Sequence, residues 1–223
     1  MSLSIEQFQA LALDESVYII DTRPADLFVD GCIPNALNIT PATIKFAIAM
    51  GVLTKETPII FIIEEDQIAE TMAYFTKAEF SQIKGYLQGG FSSWLDASKR
   101  FDLIIEVEVD ELAMDIPFDE YLMVLDTREE DAFNKQHIKN AVSLPLSEMG
   151  DPGSMSELDE HFNIYIITDN GESNTLAASI LKKQGIHNIR IVKGGWEELL
   201  QIKHKFSFET TPKKSAEEDP SLN

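Results

Sequence analysis

Blocks of apolar and polar residues succeed one another along the chain and predict strands and helices in turn. Val17-Tyr-Ile-Ile runs unbroken into Asp21, and Leu122-Met-Val-Leu runs unbroken into Asp126. Ile59 to Ile63 and Ile164 to Ile167 are short runs rich in β-branched residues. Bounded by polar positions and too short for a buried helix, they read as central strands. A polar stretch follows each, and then apolar residues at helical spacing: Ile68, Met72 and Phe75 in one place, Leu176, Ile180 and Leu181 in the other. Lys84 to Leu87 and Asn188 to Val192 predict one more strand apiece, before paired glycines and a last helix around Trp94 or Trp196. Strands alternating with helices imply an α/β fold whose parallel sheet is covered on both faces and joined by right-handed crossovers.

The blocks are one pattern written twice. Val17-Tyr-Ile-Ile-Asp-Thr-Arg23 returns as Leu122-Met-Val-Leu-Asp-Thr-Arg128, so that Asp21 and Asp126 stand 105 residues apart. Phe28 returns as Phe133, Cys32-Ile-Pro-Asn-Ala36 as His137-Ile-Lys-Asn-Ala141, and Gly89-Gly-Phe91 as Gly194-Gly-Trp196. A repeat of this length predicts two tandem domains, 1–100 and 104–207. The charged break from Lys99 to Asp102 parts them, and so short a connection predicts close packing. Residues 208–223 are polar and punctuated by proline, which predicts a disordered tail.

Charge narrows the partners. Among 223 residues, 38 acidic and 18 basic side chains give a formal charge of -20, which opposes phosphate backbones and anionic lipid surfaces. Neither nucleic acid nor membrane is expected as a partner. Solubility is the plain meaning of such a charge, and a basic protein partner the sharper one. The longest apolar runs are too short to span a bilayer. Met1 to Glu15 contains Glu6, Asp14 and Glu15 and no basic region of a secretory signal, so a cytoplasmic location is expected. Cys32 stands alone, which excludes an intramolecular disulfide and agrees with a reducing compartment. The four histidines, His137, His161, His187 and His204, lack metal-ligand spacing, and the glycine pairs lack the Lys-Ser/Thr ending of a phosphate loop. No metal and no cofactor are expected.

Asp-Thr-Arg, then Phe, then His-Ile-x-Asn-Ala, then strand, loop and helix, then Gly-Gly and an aromatic, in that order twice, resembles the rhodanese homology domain of the sulfurtransferase superfamily. The resemblance covers about residues 5 to 98 and 105 to 203. In Ile83-Lys-Gly-Tyr-Leu-Gln-Gly-Gly90 the first copy also resembles the cysteine-less module fused to metallo-β-lactamase-type persulfide dioxygenases. What the resemblance implies is a mainly parallel central sheet with helices on both faces. It also implies a reactive site in the loop between the fourth strand and the next helix. Such a loop aims several backbone N–H groups at one point, where the helix dipole favours a thiolate or persulfide and lowers a cysteine's pKa.

Active members of the family carry cysteine at the head of that loop, usually as Cys-x-x-Gly-x-Arg. The second copy reads Thr168-Asp169-Asn170-Gly171-Glu172-Ser173, with threonine at the cysteine position and serine at the arginine position. A threonine hydroxyl ionises far too high to replace a thiolate without a neighbouring base. The first copy's loop is Ile62 or Ile63 through Glu64, Glu65, Asp66 and Gln67, its register open by one residue. These carboxylates would repel thiosulfate, and they suit a helix N-terminus. Cys32 falls outside both loops and reads as a small packed hydrophobe, with a reactive thiol as the alternative. Asp21, Arg23, Asp126 and Arg128 read as paired charges that tie turns together. The expected function is a catalytically inactive tandem module that binds, scaffolds or regulates, with a basic protein or a sulfur-metabolism enzyme as partner. Its rivals are an unusual sulfurtransferase using Cys32 or a partner's cysteine, and the separated regulatory half of a persulfide dioxygenase-type fusion.

Overall fold

The computed structural model describes residues 1–155, 158–171 and 173–211. In the first copy the strands are β1 (Ser2–Leu3), β2 (Tyr18–Asp21), β3 (Leu37–Asn38), β4 (Ile59–Ile62) and β5 (Ile83–Leu87). Its helices are α1 (Ile5–Ala12), α2 (Ala25–Asp30), α3 (Ile44–Ala49), α4 (Ile68–Lys77) and α5 (Gly90–Asp96). The second copy runs through β6 (Ile105–Val107), β7 (Leu122–Asp126), β8 (His137–Ile138), β9 (Val142–Ser143), β10 (Asn163–Ile167), β11 (Ile189–Val192) and β12 (Phe208–Glu209). Its helices are α6 (Val109–Asp115), α7 (Glu130–Lys135), α8 (Asn174–Lys183) and α9 (Gly195–Gln201).

Each copy builds one five-stranded parallel sheet, in the orders β1-β5-β4-β2-β3 and β6-β11-β10-β7-β9. The uninterrupted apolar runs sit at the centre. All four residues of β4 are buried, as are Ile164 to Ile167 of β10, because helices cover both faces. Aromatic rings join a helix to the sheet and two helices to each other: Phe75 of α4 meets Phe61 of β4 edge to face at 4.6 Å, and Phe8 of α1 meets Trp94 of α5 at 6.1 Å. Helix starts follow local chemistry. Ser4 and Gln7 cap α1 reciprocally, and at the start of α6 the Glu108 N–H donates to the Glu111 carboxylate at 2.8 Å.

The copies differ in one respect that matters for the site. On α4, Thr71 and Phe75 are the buried residues, whereas α8 is buried from Asn174 through Lys182, on every face. The reason is that α8 lies between its own sheet and the first copy, against β3 and α2. Across this seam the Thr175 hydroxyl donates to Asn38 Oδ1 at 2.7 Å, and the Asn38 backbone N–H donates to Ser179 Oγ at 3.3 Å. Lys183 stands over the Tyr18 ring at 4.2 Å. One apolar cluster takes in Ile44 and Met50 with Met149, Leu176 and Ile180, so the two sheets share a core.

The expected tail begins too early at 208. Phe208 and Glu209 pair antiparallel with Ile138 and His137, and the Phe208 ring meets Trp196 edge to face at 5.7 Å. Burial of that one aromatic outweighs the polar composition around it. Residues 212–223 lie outside the described residues. Among those described, no helix is long and apolar enough to cross a membrane.

Candidate functional site

Both repeats of Asp-Thr-Arg are built alike. Arg23 grips the Asp21 carboxylate through Nε (3.0 Å) and Nη2 (2.6 Å), and Arg128 grips Asp126 in the same way at 2.9 and 2.6 Å. All four are buried. The guanidinium groups also donate to the carbonyls of Gly31 and Gln136, and they stack on Phe91 (4.1 Å) and Trp196 (3.6 Å). Removing one partner would strand a buried charge, a loss of about 3 to 5 kcal/mol. The threonine between them positions the neighbouring strand. The backbone N–H and hydroxyl of Thr22 donate to the Ile62 carbonyl, and those of Thr127 donate to the Ile167 carbonyl, at the last residue before each loop.

Beyond Ile167 the loop of the second copy closes on itself. Thr168 is 4% exposed. Its hydroxyl donates to Asn174 Oδ1 and accepts from the Gly171 N–H, both at 2.9 Å, while Asn174 Nδ2 donates to the Val192 carbonyl at 2.8 Å. The start of α9 packs against this loop from below: the Trp196 N–H donates to the Thr168 carbonyl and the Glu197 N–H to the Asp169 carbonyl. That approach is why glycine is required at 195. Its φ is +57°, and a Cβ there would stand 2.3 Å from the Thr168 carbonyl oxygen. Asp169 and Asn170 are exposed, and Ser173 is half-buried. Glu172 lies outside the described residues.

The same packing settles the register in the first copy. A Cβ on Gly90 would meet the Ile63 carbonyl at 3.0 Å, so Ile63 stands where Thr168 stands. Ile62, expected as a loop candidate, instead ends β4 and pairs with Asp21. Ile63 is fully buried, and a single 3-10 turn, Glu65–Gln67, leads directly into α4. Glu64 is half-buried, and Glu65, Asp66 and Gln67 are exposed. An isoleucine offers no nucleophile, donor or acceptor.

The family description Rhodanese-like domain matches residues 4–97 and again residues 108–201. The chain belongs to that family. A Bacillus subtilis (strain 168) protein named "Putative sulfur carrier protein YrkF" is 35% identical over 121 residues, 53% of this chain and 62% of that relative. The chain thus spans less than two thirds of the relative's length. Among solved structures, thiosulfate sulfurtransferase from Pseudomonas aeruginosa is 16% identical, covering 95% of this chain and 44% of that one, with a TM-score of 0.42. SseA from Escherichia coli, a 3-mercaptopyruvate sulfotransferase with the rhodanese fold, is 16% identical over 87% and 98% of the two chains, with a TM-score of 0.38. Likenesses this distant say nothing about the chemistry of the site.

In the second rhodanese-like domain the loop opens on a cleft of about 290 Å³, walled by Thr127, Arg128, Glu129, Leu146, Thr168, Asp169, Asn170 and Ser173 and, from the first domain, by Phe46. Sequence reasoning missed Phe46 and Glu129. Nothing in a local pattern places α3 beside residue 168, although the polar Glu129 after Asp-Thr-Arg is a visible cue. Cys32 is not part of this cleft. It is 2% exposed, exchanges both backbone hydrogen bonds with Asp102, and points its thiol at the Asp102 carbonyl. Burial pushes that thiol up to about 12. Among the described residues no group of histidines, cysteines and carboxylates could hold a metal ion.

Proposed function

We propose that this chain is a non-catalytic tandem rhodanese-like module that binds or regulates a partner in sulfur metabolism. One observation carries the reading: at the head of the second loop stands a threonine whose hydroxyl is already engaged with Asn174 and Gly171. A hydroxyl so held is not poised to attack sulfur. The first loop supplies a buried isoleucine. Cys32 supplies no thiolate near neutral pH, which speaks against its use as a substitute nucleophile. Similarity to a sulfur carrier supports the link to sulfur metabolism. A steady-state assay with thiosulfate and cyanide tests the proposal on the native chain and on Cys32→Ala. Both should give only the uncatalysed rate, and turnover lost on Cys32→Ala would overturn the reading.

A further inference from the structure

We infer that the seam between the two domains is a docking groove for a polypeptide segment bearing lysine or arginine side chains. The inference rests on the non-catalytic reading of the same loop and names the partner's chemistry. Two hollows are walled by neighbouring positions of the same two segments, α3 with Met50 after it and the stretch 146–151. The first is the cleft of about 290 Å³ at Thr168, with Phe46 and Leu146 in its walls. The second is an open hollow of about 530 Å³ walled by Met50, which follows α3, and by Ser147, Glu148 and Asp151. Both draw walls from each domain, Phe46 and Met50 from the first and residues 146–151 from the second.

The walls choose the occupant. Glu129 and Asp169 face the first hollow, Glu148 and Asp151 the second, and all four are exposed. Ser147 Oγ donates to the Glu129 carboxylate at 3.2 Å and so links the two stretches. The cation in the described walls, Arg128, is consumed by Asp126 and the Gln136 carbonyl beneath Trp196. An anionic donor would meet carboxylates on entry. A guanidinium or ammonium would meet carboxylates at the rim and, inside, the Phe46 ring, which is 38% exposed. The overall charge of -20 steers such a segment toward the protein but does not localise it.

The test must separate the groove from general charge attraction. The probe is a fluorescein-labelled, capped peptide of alternating arginine and glycine with four arginines, followed by anisotropy at two salt concentrations, with a citrulline counterpart as the neutral control. The groove variant Glu129→Gln/Glu148→Gln/Asp169→Asn should weaken binding by about tenfold or more. A variant of equal charge away from the groove, Glu65→Gln/Asp66→Asn/Glu70→Gln, should change it by no more than about twofold. Phe46→Ala alone should also weaken it, which a purely long-range attraction would not do. Equal effects of the two triple variants, or binding of the citrulline peptide as tight as that of the arginine peptide, overturn the inference. So does spermine binding as tightly as the peptide, because the site would then be one for free polycations. Thiosulfate turnover by the native chain would sink the non-catalytic reading and leave the peptide result to be read separately.

Discussion

Thr175 reaches across the domain seam to Asn38, its hydroxyl 2.7 Å from the asparagine Oδ1, both side chains buried. Asn38 Nδ2 donates in turn to the carbonyls of Asp21 (3.2 Å) and Arg23 (2.9 Å). The helix that follows the second domain's loop is therefore tied, through one amide, to the Asp-Thr-Arg turn of the first domain. What would otherwise be two independent modules is a single unit at this point.

Removing that tie should destabilise the whole chain. Asn38→Ala is expected to cost about 1 to 3 kcal/mol, since it takes the amide donor from the Arg23 carbonyl and the acceptor from the buried Thr175 hydroxyl. Thr175→Val should cost less, and a double-mutant cycle in urea should give a coupling of about 0.5 to 1.5 kcal/mol. Additive losses would mean that the two residues do not interact.

Gly195 offers a second stability test. Gly195→Ala brings a Cβ within 2.3 Å of the Thr168 carbonyl oxygen at a φ of +57°, whereas Gly185→Ala, at +91°, meets nothing within 4 Å. Backbone strain alone costs about 1 to 3 kcal/mol. Gly195→Ala should exceed Gly185→Ala, because it adds a clash with backbone that cannot give way. Thermal melts that rank the two variants equally would show that α9 does not press on the loop.

Cys32 should be inert to iodoacetamide at pH 8 in the folded chain and react only on unfolding, since the thiolate is the reactive species. Its pKa, lifted from 9.0 to about 12 by burial, also has a consequence for stability. Between those values the unfolded chain gives up the proton and the folded chain keeps it, so stability falls as pH rises through that window. Cys32→Ala should flatten the fall. Rapid alkylation of the native chain would show that the thiol is accessible.

A cysteine placed at the head of the second loop should give a reactive thiol without efficient turnover. In Thr168→Cys the Gly171 N–H, freed from the hydroxyl, would face the new sulfur at the cleft wall and favour its thiolate, so alkylation should be faster than at Cys32, which lines no such cleft. A like charge about 6 Å away costs about 2 to 3 kcal/mol at an effective dielectric of about 20, before salt screening. Asp169 and Glu129, both exposed at the cleft, would repel thiosulfate in this sense, by less than that figure once solvent screens them. Adding Asp169→Asn and Ser173→Arg should raise thiosulfate turnover well above that of the single variant, and more so at low salt. Equal rates for the single and triple variants would mean that the cysteine was the sole defect.

The sequence alone determined the repeat, the α/β class, the central strands and the composition of both loops. These follow from local periodicity and from residue identity, which a chain carries whatever it packs against. It also marked Asp-Thr-Arg twice, because paired charges beside an apolar run have few other uses. Three things came only with the tertiary structure. Whether Ile62 or Ile63 stands at the loop's head was decided by Gly90, since a carbonyl's contact with a glycine 27 positions later leaves no trace in a hydrophobic pattern. The burial of α8 from Asn174 through Lys182 was decided by the first copy's β3 and α2, where Asn38, 137 residues away, meets Thr175. Its Ala177, Ala178 and Ser179 are small enough to admit a neighbouring domain, but a single helix's periodicity reports one covered face and not a second. Phe46, finally, is an ordinary aromatic on a short helix until the two sheets come together and make it the wall of a cleft.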